Sequence, residues 1–515
     1  MIRIRYLFNS KERKLIIMEN PSGISAGKGY GLLIFSISLA AFMSSLDGTI
    51  VNIALPTISS SFGISSSSVS WVATAYLLVM AGCVLIFGKI SDVIGFKRVF
   101  LSGFIIFTIG SFACALLPDI LNSFPTLVGS RVFQAIGGAM ITAIAPAMVT
   151  AYIPMKQKGK AMGIIMTIAA LGTALGPSVG GVLTQYLSWH WIFLINVPVG
   201  IAAVIIGIKA IPAHVSDGST LDNFDRAGAA LIFTGLATLL FAVSEGQELG
   251  WTSLPILVSL AIAVFSIALF IRHELSSSDP LLELRLFKKK NFLFSNMIMC
   301  LVFLSFAGIN YLLPFYLEYV QGFDSSTAGL IITSLSFAMM FSGILAGMLY
   351  NKAGGRLLCI AASLAILAGY YLMTKLHADT STGYVIVCLI LIGFGLGMMV
   401  TPVSNMILNS VSKKYQGMVS SLTSLERFAP MTIGIAIFNM IFLQGISLVA
   451  ARQNVTSEAP VNIKMEVLSS GFDLAFFGAF ILAIIIVIFS FLAKQEVHPD
   501  YLDGGEENEI NSGMI

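Results

Sequence analysis

Fourteen long apolar runs, repeating from about residue 30 to residue 493 with no soluble interval between them, constrain this chain more than any other feature. A helix needs about 20 apolar residues to cross the hydrocarbon core of a bilayer. By that measure the spans lie near 31–57, 69–90, 98–117, 125–149, 160–187, 191–211, 227–245, 252–271, 293–319, 327–350, 357–375, 382–408, 417–446 and 471–493. Only 11% of the 515 residues are charged, against about a quarter in a soluble domain. The expected class is an all-α membrane protein.

An even number of spans puts both termini on one side, and charge decides which side. With the N-terminus inside, inner segments hold 24 of the 29 Lys and Arg residues. Outer segments hold Lys375, Arg452 and Lys464, and Arg131 and Arg427 fall within spans. Both termini are therefore expected in the cytoplasm, with the chain in the cell membrane. Arg3, Arg5, Lys11, Arg13, Lys14 and Lys28 lead into a run too long for a signal-peptide core, so the leader reads as retained, with Met18 an alternative start. The basic connection 273–292 reads equally as an amphipathic stretch on an anionic leaflet or as a plain linker. The tail 494–515 is acidic.

Several function classes drop out. Cys83, Cys114, Cys300, Cys359 and Cys388 all sit in apolar runs at no metal-ligand spacing, and read as small buried hydrophobes. The five histidines lie at or beyond span ends, so no clustered catalytic or metal chemistry is expected at depth, and no cofactor. Gly23–Gly29 is the nearest approach to a P-loop; it is one residue short and has Gly where the hydroxyl belongs, which argues against an ATP-driven pump.

The chain repeats internally. Gly88, Asp92 and Gly95 after span 2 recur as Gly347, Asn351 and Gly354 after span 10. Gly137 and Pro146 in span 4 recur as Gly393 and Pro402 in span 12. The offsets, 259 and 256 residues, nearly agree. The expected layout is a segment 1–30, a six-helix bundle 31–211, two inserted helices 212–272, the connection 273–292, a second six-helix bundle 293–493 and the tail. Duplicated bundles around a midplane site are a common basis of alternating access.

The loop Gly88-Lys-Ile-Ser-Asp92-Val-Ile-Gly95-Phe-Lys97-Arg98 resembles the cytoplasmic signature of the major facilitator superfamily, and the resemblance covers nearly the whole chain. Arg131-Val-Phe-Gln134-Ala-Ile-Gly137-Gly138 is similar to the family's span-4 motif. Gly172-Thr-Ala-Leu-Gly176-Pro177-Ser-Val-Gly180-Gly181 is similar to its antiporter motif in span 5. Leu46-Asp47-Gly48-Thr49 through Pro56, and Trp189-His-Trp191 through Pro198, resemble the fourteen-span drug:proton antiporters. The resemblance implies a monomeric, proton-coupled exporter of small lipophilic compounds, with no nucleic-acid partner and no enzymatic activity. A metabolite importer or exchanger on the same fold is the alternative. Asn351 stands where the second-half loop of the family has an acid, so charge switching is expected in the first-half loop alone; span 10 lacks the acids that some exporters of dicationic drugs carry, which argues against dicationic substrates.

Within the spans, chemistry concentrates at few positions. Asp47 lies roughly 24 Å along span 1, where a carboxylate costs on the order of 3 kcal/mol to insert. That suits a group which takes up and releases a proton. Arg131 falls at a similar depth and is expected to pair with Asp47 directly or through Gln134. Glu426 is the second candidate proton site; beside it Arg427 points about 100° away, so one of the two is expected to line the pathway. Asp92 is expected to latch an inner gate against a helix N-terminus, with Gly88, Gly95, Lys97 and Arg98 shaping its loop. Gly176 and Pro177 are expected to form a tight, bent helix contact. Trp71, Tyr76, Tyr311 and Tyr316 are candidate aromatic walls for substrate, with Gln134 and Arg427 as polar members. Glu245 and Glu318, near outer span ends, are expected to meet water.

Overall fold

The computed structural model describes residues 3–5, 16–18, 28–153, 155–212, 225–277, 282–377, 379–412, 415–452 and 461–499. Inside those ranges the side chains of Asp92 and Asn351 lie outside the described residues, so the expected latch is not placed. Among the described residues fifteen α-helices follow a short antiparallel pairing of Arg3–Arg5 with Ile16–Met18. They are α1 (Lys28–Phe62), α2 (Ser66–Ile94), α3 (Phe96–Ile120), α4 (Phe124–Tyr152), α5 (Met155–Tyr186), α6 (Trp191–Leu194), α7 (Asn196–Ala210), α8 (Arg226–Leu249) and α9 (Leu254–Ser276). The second part holds α10 (Lys290–Phe315), α11 (Ser325–Ala353), α12 (Gly355–Met373), α13 (Thr382–Asn409), α14 (Gln416–Arg452) and α15 (Val461–Leu492). With α6 and α7 counted as one span, 14 stretches are long and apolar enough to cross a membrane. Helices are the natural solution there, because hydrocarbon offers no partner to an unpaired backbone group.

Two six-helix bundles pack with matching contacts. In the first, α1 lies against α5 and α3 against α4; in the second, α10 lies against α14 and α12 against α13. The bundles meet through two crossed pairs, α5 with α11 and α2 with α14. The sequence repeat has a backbone counterpart. Gly95 joins α2 to α3 at φ 93°, and Gly354 joins α11 to α12 at φ 75°. Side chains rarely adopt either conformation, so both one-residue turns need glycine. The basic residue two positions on does the same job in each half. Lys97 Nζ donates to the Ile208 carbonyl at the end of α7 (2.7 Å), and an Arg356 nitrogen donates to the Phe491 carbonyl at the end of α15 (3.0 Å). Cations belong at helix C-termini, where carbonyls are left over.

The inserted helices are peripheral: only 28% of the α8 span and 22% of the α9 span is buried, against 83% of α2. Helix α8 touches both α2 and α14, so it lies along the seam between the bundles. Leu282 and Leu286 of the following connection are buried, and Leu284 and Phe287 pack on the same core. These four side chains thus pack on protein.

At the end of the molecule remote from the termini the halves are in contact. Tyr311 Oη donates to the Ser66 carbonyl, and Tyr319 Oη donates to the Pro56 carbonyl at 3.3 Å. A side chain on Gly181 would strike the Ser325 backbone, and one on Gly329 would strike Pro177. Gly176 and Gly180 bring α5 equally close to α1. The glycine motif of α5 therefore serves two faces, one toward its own bundle and one toward the other.

Candidate functional site

Asp47, in the middle of α1, is fully buried and accepts three hydrogen bonds. Arg131 donates one to Oδ2 at 2.9 Å. Gln134 and Asn196 donate to Oδ1 at 3.0 and 2.9 Å. Arg131 and Gln134 stand three residues apart on one face of α4, which lets both reach the same carboxyl group. Asn196 comes from the first turn of α7, just past the break at Ile195. Lone acids and bases are costly in a dry interior, and this arrangement gives both carboxylate oxygens a donor.

Arg131 is equally well surrounded. Its Nε donates to the Val72 carbonyl at 3.1 Å, and a terminal nitrogen donates to Gln134 Oε1 at 2.5 Å. Its guanidinium carbon lies 4.1 Å from the Tyr76 ring centre and 5.5 Å from that of Phe193. Both contacts are within cation–π range. Gln134 Nε2 also donates to Ser111 Oγ at 2.8 Å. Asn196 and Ser111 complete a network that sequence reasoning missed. A polar side chain within an apolar run, two residues before Pro198, was the available signal for Asn196.

Tyr76 separates this network from a cavity. Its ring stacks on Arg131 and also lines a void between the bundles. Helix α1 contributes Ser44, Ser45, Gly48 and Thr49 to the walls; α10 contributes Phe303 and Phe306; α14 contributes Arg427 and Phe428. A smaller adjoining void touches Arg131, Asn52 and Asn310.

Other candidates separate. Of the neighbouring pair on α14, Arg427 is exposed and lines the cavity while Glu426 is buried, 5% exposed, with no partner for Oε2 among the described residues. Sequence reasoning expected one of the two to line the pathway and left open which; it is Arg427 that borders the void. Three of the aromatic candidates lie elsewhere. Trp71 Nε1 donates to Glu245 on α8. Tyr311 seals the remote end. Tyr316 packs on Phe472 and Phe476 and donates to the His377 carbonyl at 3.0 Å. Gln134 is buried in the carboxylate network and is not among the walls of either void. Glu245 and Glu318, expected to meet water, are half-buried and take donors from Trp71 and from Ser325 (2.8 Å). Arg98 is exposed.

Known proteins bear on this arrangement. The profile of the Major Facilitator Superfamily matches residues 37–435. "Riboflavin transporter RibZ" of Clostridioides difficile (strain 630) is 35% identical over 420 residues, covering 81% of this chain and 89% of that protein. "Multidrug transporter protein MdtP" of Bacillus subtilis (strain 168) is 33% identical over 411 residues, covering 80% and 75%. The crystal structure of a D-xylose–proton symporter superposes with a TM-score of 0.64 at 13% identity, over 92% of this chain and all of that one. At that identity the likeness is one of fold alone.

Proposed function

This chain belongs to the major facilitator superfamily, and within it we propose a proton-coupled antiporter that exports small lipophilic compounds across the cell membrane. On this reading both termini are cytoplasmic, the remote end is extracellular, and the closed contacts there belong to a state shut to the outside. The observation that carries it is the buried Asp47–Arg131 pair, one aromatic ring away from the cavity. When Asp47 takes a proton its ion pair with Arg131 is lost. Arg131 keeps the Val72 carbonyl, Gln134 Oε1 and two ring faces. Both protonation states are therefore tolerable, and they differ in how firmly α1 is held to α4. A proton can bias a conformational equilibrium only through such a difference.

The test is transport by purified protein in liposomes with a trapped pH dye. Downhill movement of 1-pyrenebutanol, a neutral lipophilic probe, should drive protons the opposite way through the wild type. Asp47→Asn keeps the shape and cannot titrate, so it should bind the probe and move no protons. Substrate-driven proton movement surviving in that variant refutes the coupling role. A second reading, a carrier dedicated to one metabolite, is favoured by the 35% identity to a riboflavin transporter. Cells expressing the chain would then accumulate riboflavin instead of losing the lipophilic probe.

A further inference from the structure

Among the described residues the cavity walls carry one formal charge, and it is positive. Arg427 exposes its guanidinium to the void, flanked by the rings of Phe303 and Phe428, each 5.7 Å away. Among the described residues no carboxylate lies within ion-pair distance of it. Glu426 is buried and does not line the void, and Asp47 is fully buried and spent on Arg131, Gln134 and Asn196. Facing Arg427 across the cavity, α1 offers the hydroxyls of Ser44, Ser45 and Thr49.

We infer that the cavity selects planar aromatic compounds with an acceptor edge, anionic or neutral, that it disfavours cations, and that Arg427 is the residue that selects. The inference rests on the reading of this cavity as the transported compound's site. A guanidinium between two rings is a planar fork. It pairs with a carboxylate or carbonyl edge through two parallel N–H donors while the compound's π face rests on the flanking aromatics. Lacking a counter-ion among the described residues, it gains from an acceptor. A cation about 6 Å away is disfavoured on the order of 100-fold at an effective dielectric near 20. Because Arg427 and Asp47 are separate, proton and substrate do not compete for one charge; coupling passes through the conformational equilibrium.

Three probes share one ring system and differ in charge: pyrenebutyrate, pyrenebutanol and pyrenebutyl-trimethylammonium. Equilibrium binding to the purified full chain in nanodiscs should rank the anion and the alcohol at least ~10-fold above the cation. Arg427→Gln should weaken pyrenebutyrate by ~10-fold or more, shift pyrenebutanol by no more than ~2-fold and remove the penalty on the cation. Arg427→Lys should keep the charge ranking and lose part of the affinity, since an ammonium lacks the fork. The inference is overturned by wild-type protein binding the cation as tightly as the anion, by Arg427→Gln weakening all three alike, or by no probe binding saturably. The wild-type ranking needs no variant to fold. Binding also needs no gradient, so a failure here is distinct from a failure of Asp47 to couple protons.

Discussion

Taking a carboxylate and a guanidinium out of water costs several kcal/mol per ion, repaid only where geometry and extra donors are good. Asp47 and Arg131 meet that condition at 2.9 Å with Gln134, Asn196 and the Val72 carbonyl completing the shell. Arg131→Gln leaves a carboxyl group that must lie buried without a counter-ion or take up a proton, and should lower stability by about 3–5 kcal/mol. Adding Asp47→Asn to that variant removes the orphaned charge, so the double variant should be more stable than Arg131→Gln alone. Thermal unfolding in nanodiscs checks both; strict additivity would mean that the pair is not coupled energetically. Gly95 offers a backbone counterpart. At φ 93° and ψ 143° it occupies a region open to little but glycine, and Gly95→Ala should cost about 1–3 kcal/mol. An unchanged unfolding midpoint would show that the turn relaxes.

At the scale of helices, the spans were legible because a bilayer imposes a length on every crossing, and the apolar runs near 30–493 match helices α1 to α15. The repeat was legible for a similar reason, since Gly95 and Gly354 hold the same strained turn. Where side chains point was much less legible. Trp71 and Tyr76 are five residues apart on α2, yet one reaches Glu245 on the inserted helix and the other lines the cavity. A run apolar all round carries no period to say which face meets lipid, protein or void. The same blindness hid Asn196 and left open which of Glu426 and Arg427 borders the cavity. Helix faces also decide the fate of the glycine motif. Gly181 lets α5 touch the start of α11 at the remote end, where the halves close. A methyl group there meets backbone, so Gly181→Ala should shift the population toward states open at that end. Spin labels at Asn122 and Asp379, both exposed and on remote-end turns of opposite halves, should report longer distances. Unchanged distances would mean that this contact does not set the closure.

Two bundles meeting through crossed pairs make a molecule that can rock about its centre, and the charges it carries then decide what drives it. On the antiport proposal, with Asp47 as the one coupling carboxyl group, each cycle returns one proton. Export of a neutral compound against that proton moves one charge across the membrane; export of a monoanion moves two. A charge crossing 100 mV is worth about 2.3 kcal/mol, so at zero pH gradient the neutral compound should reach a gradient of about 50-fold. The monoanion, at about 4.6 kcal/mol, should reach on the order of 2,000-fold. The measurement is the steady-state distribution of pyrenebutanol and pyrenebutyrate in liposomes clamped by a potassium gradient and valinomycin, corrected for passive leak. The logarithm of the pyrenebutyrate gradient should rise with voltage twice as steeply as that of the alcohol. Equal slopes would mean that a second group, with buried Glu426 the nearest candidate, takes up a proton whenever the anion is carried.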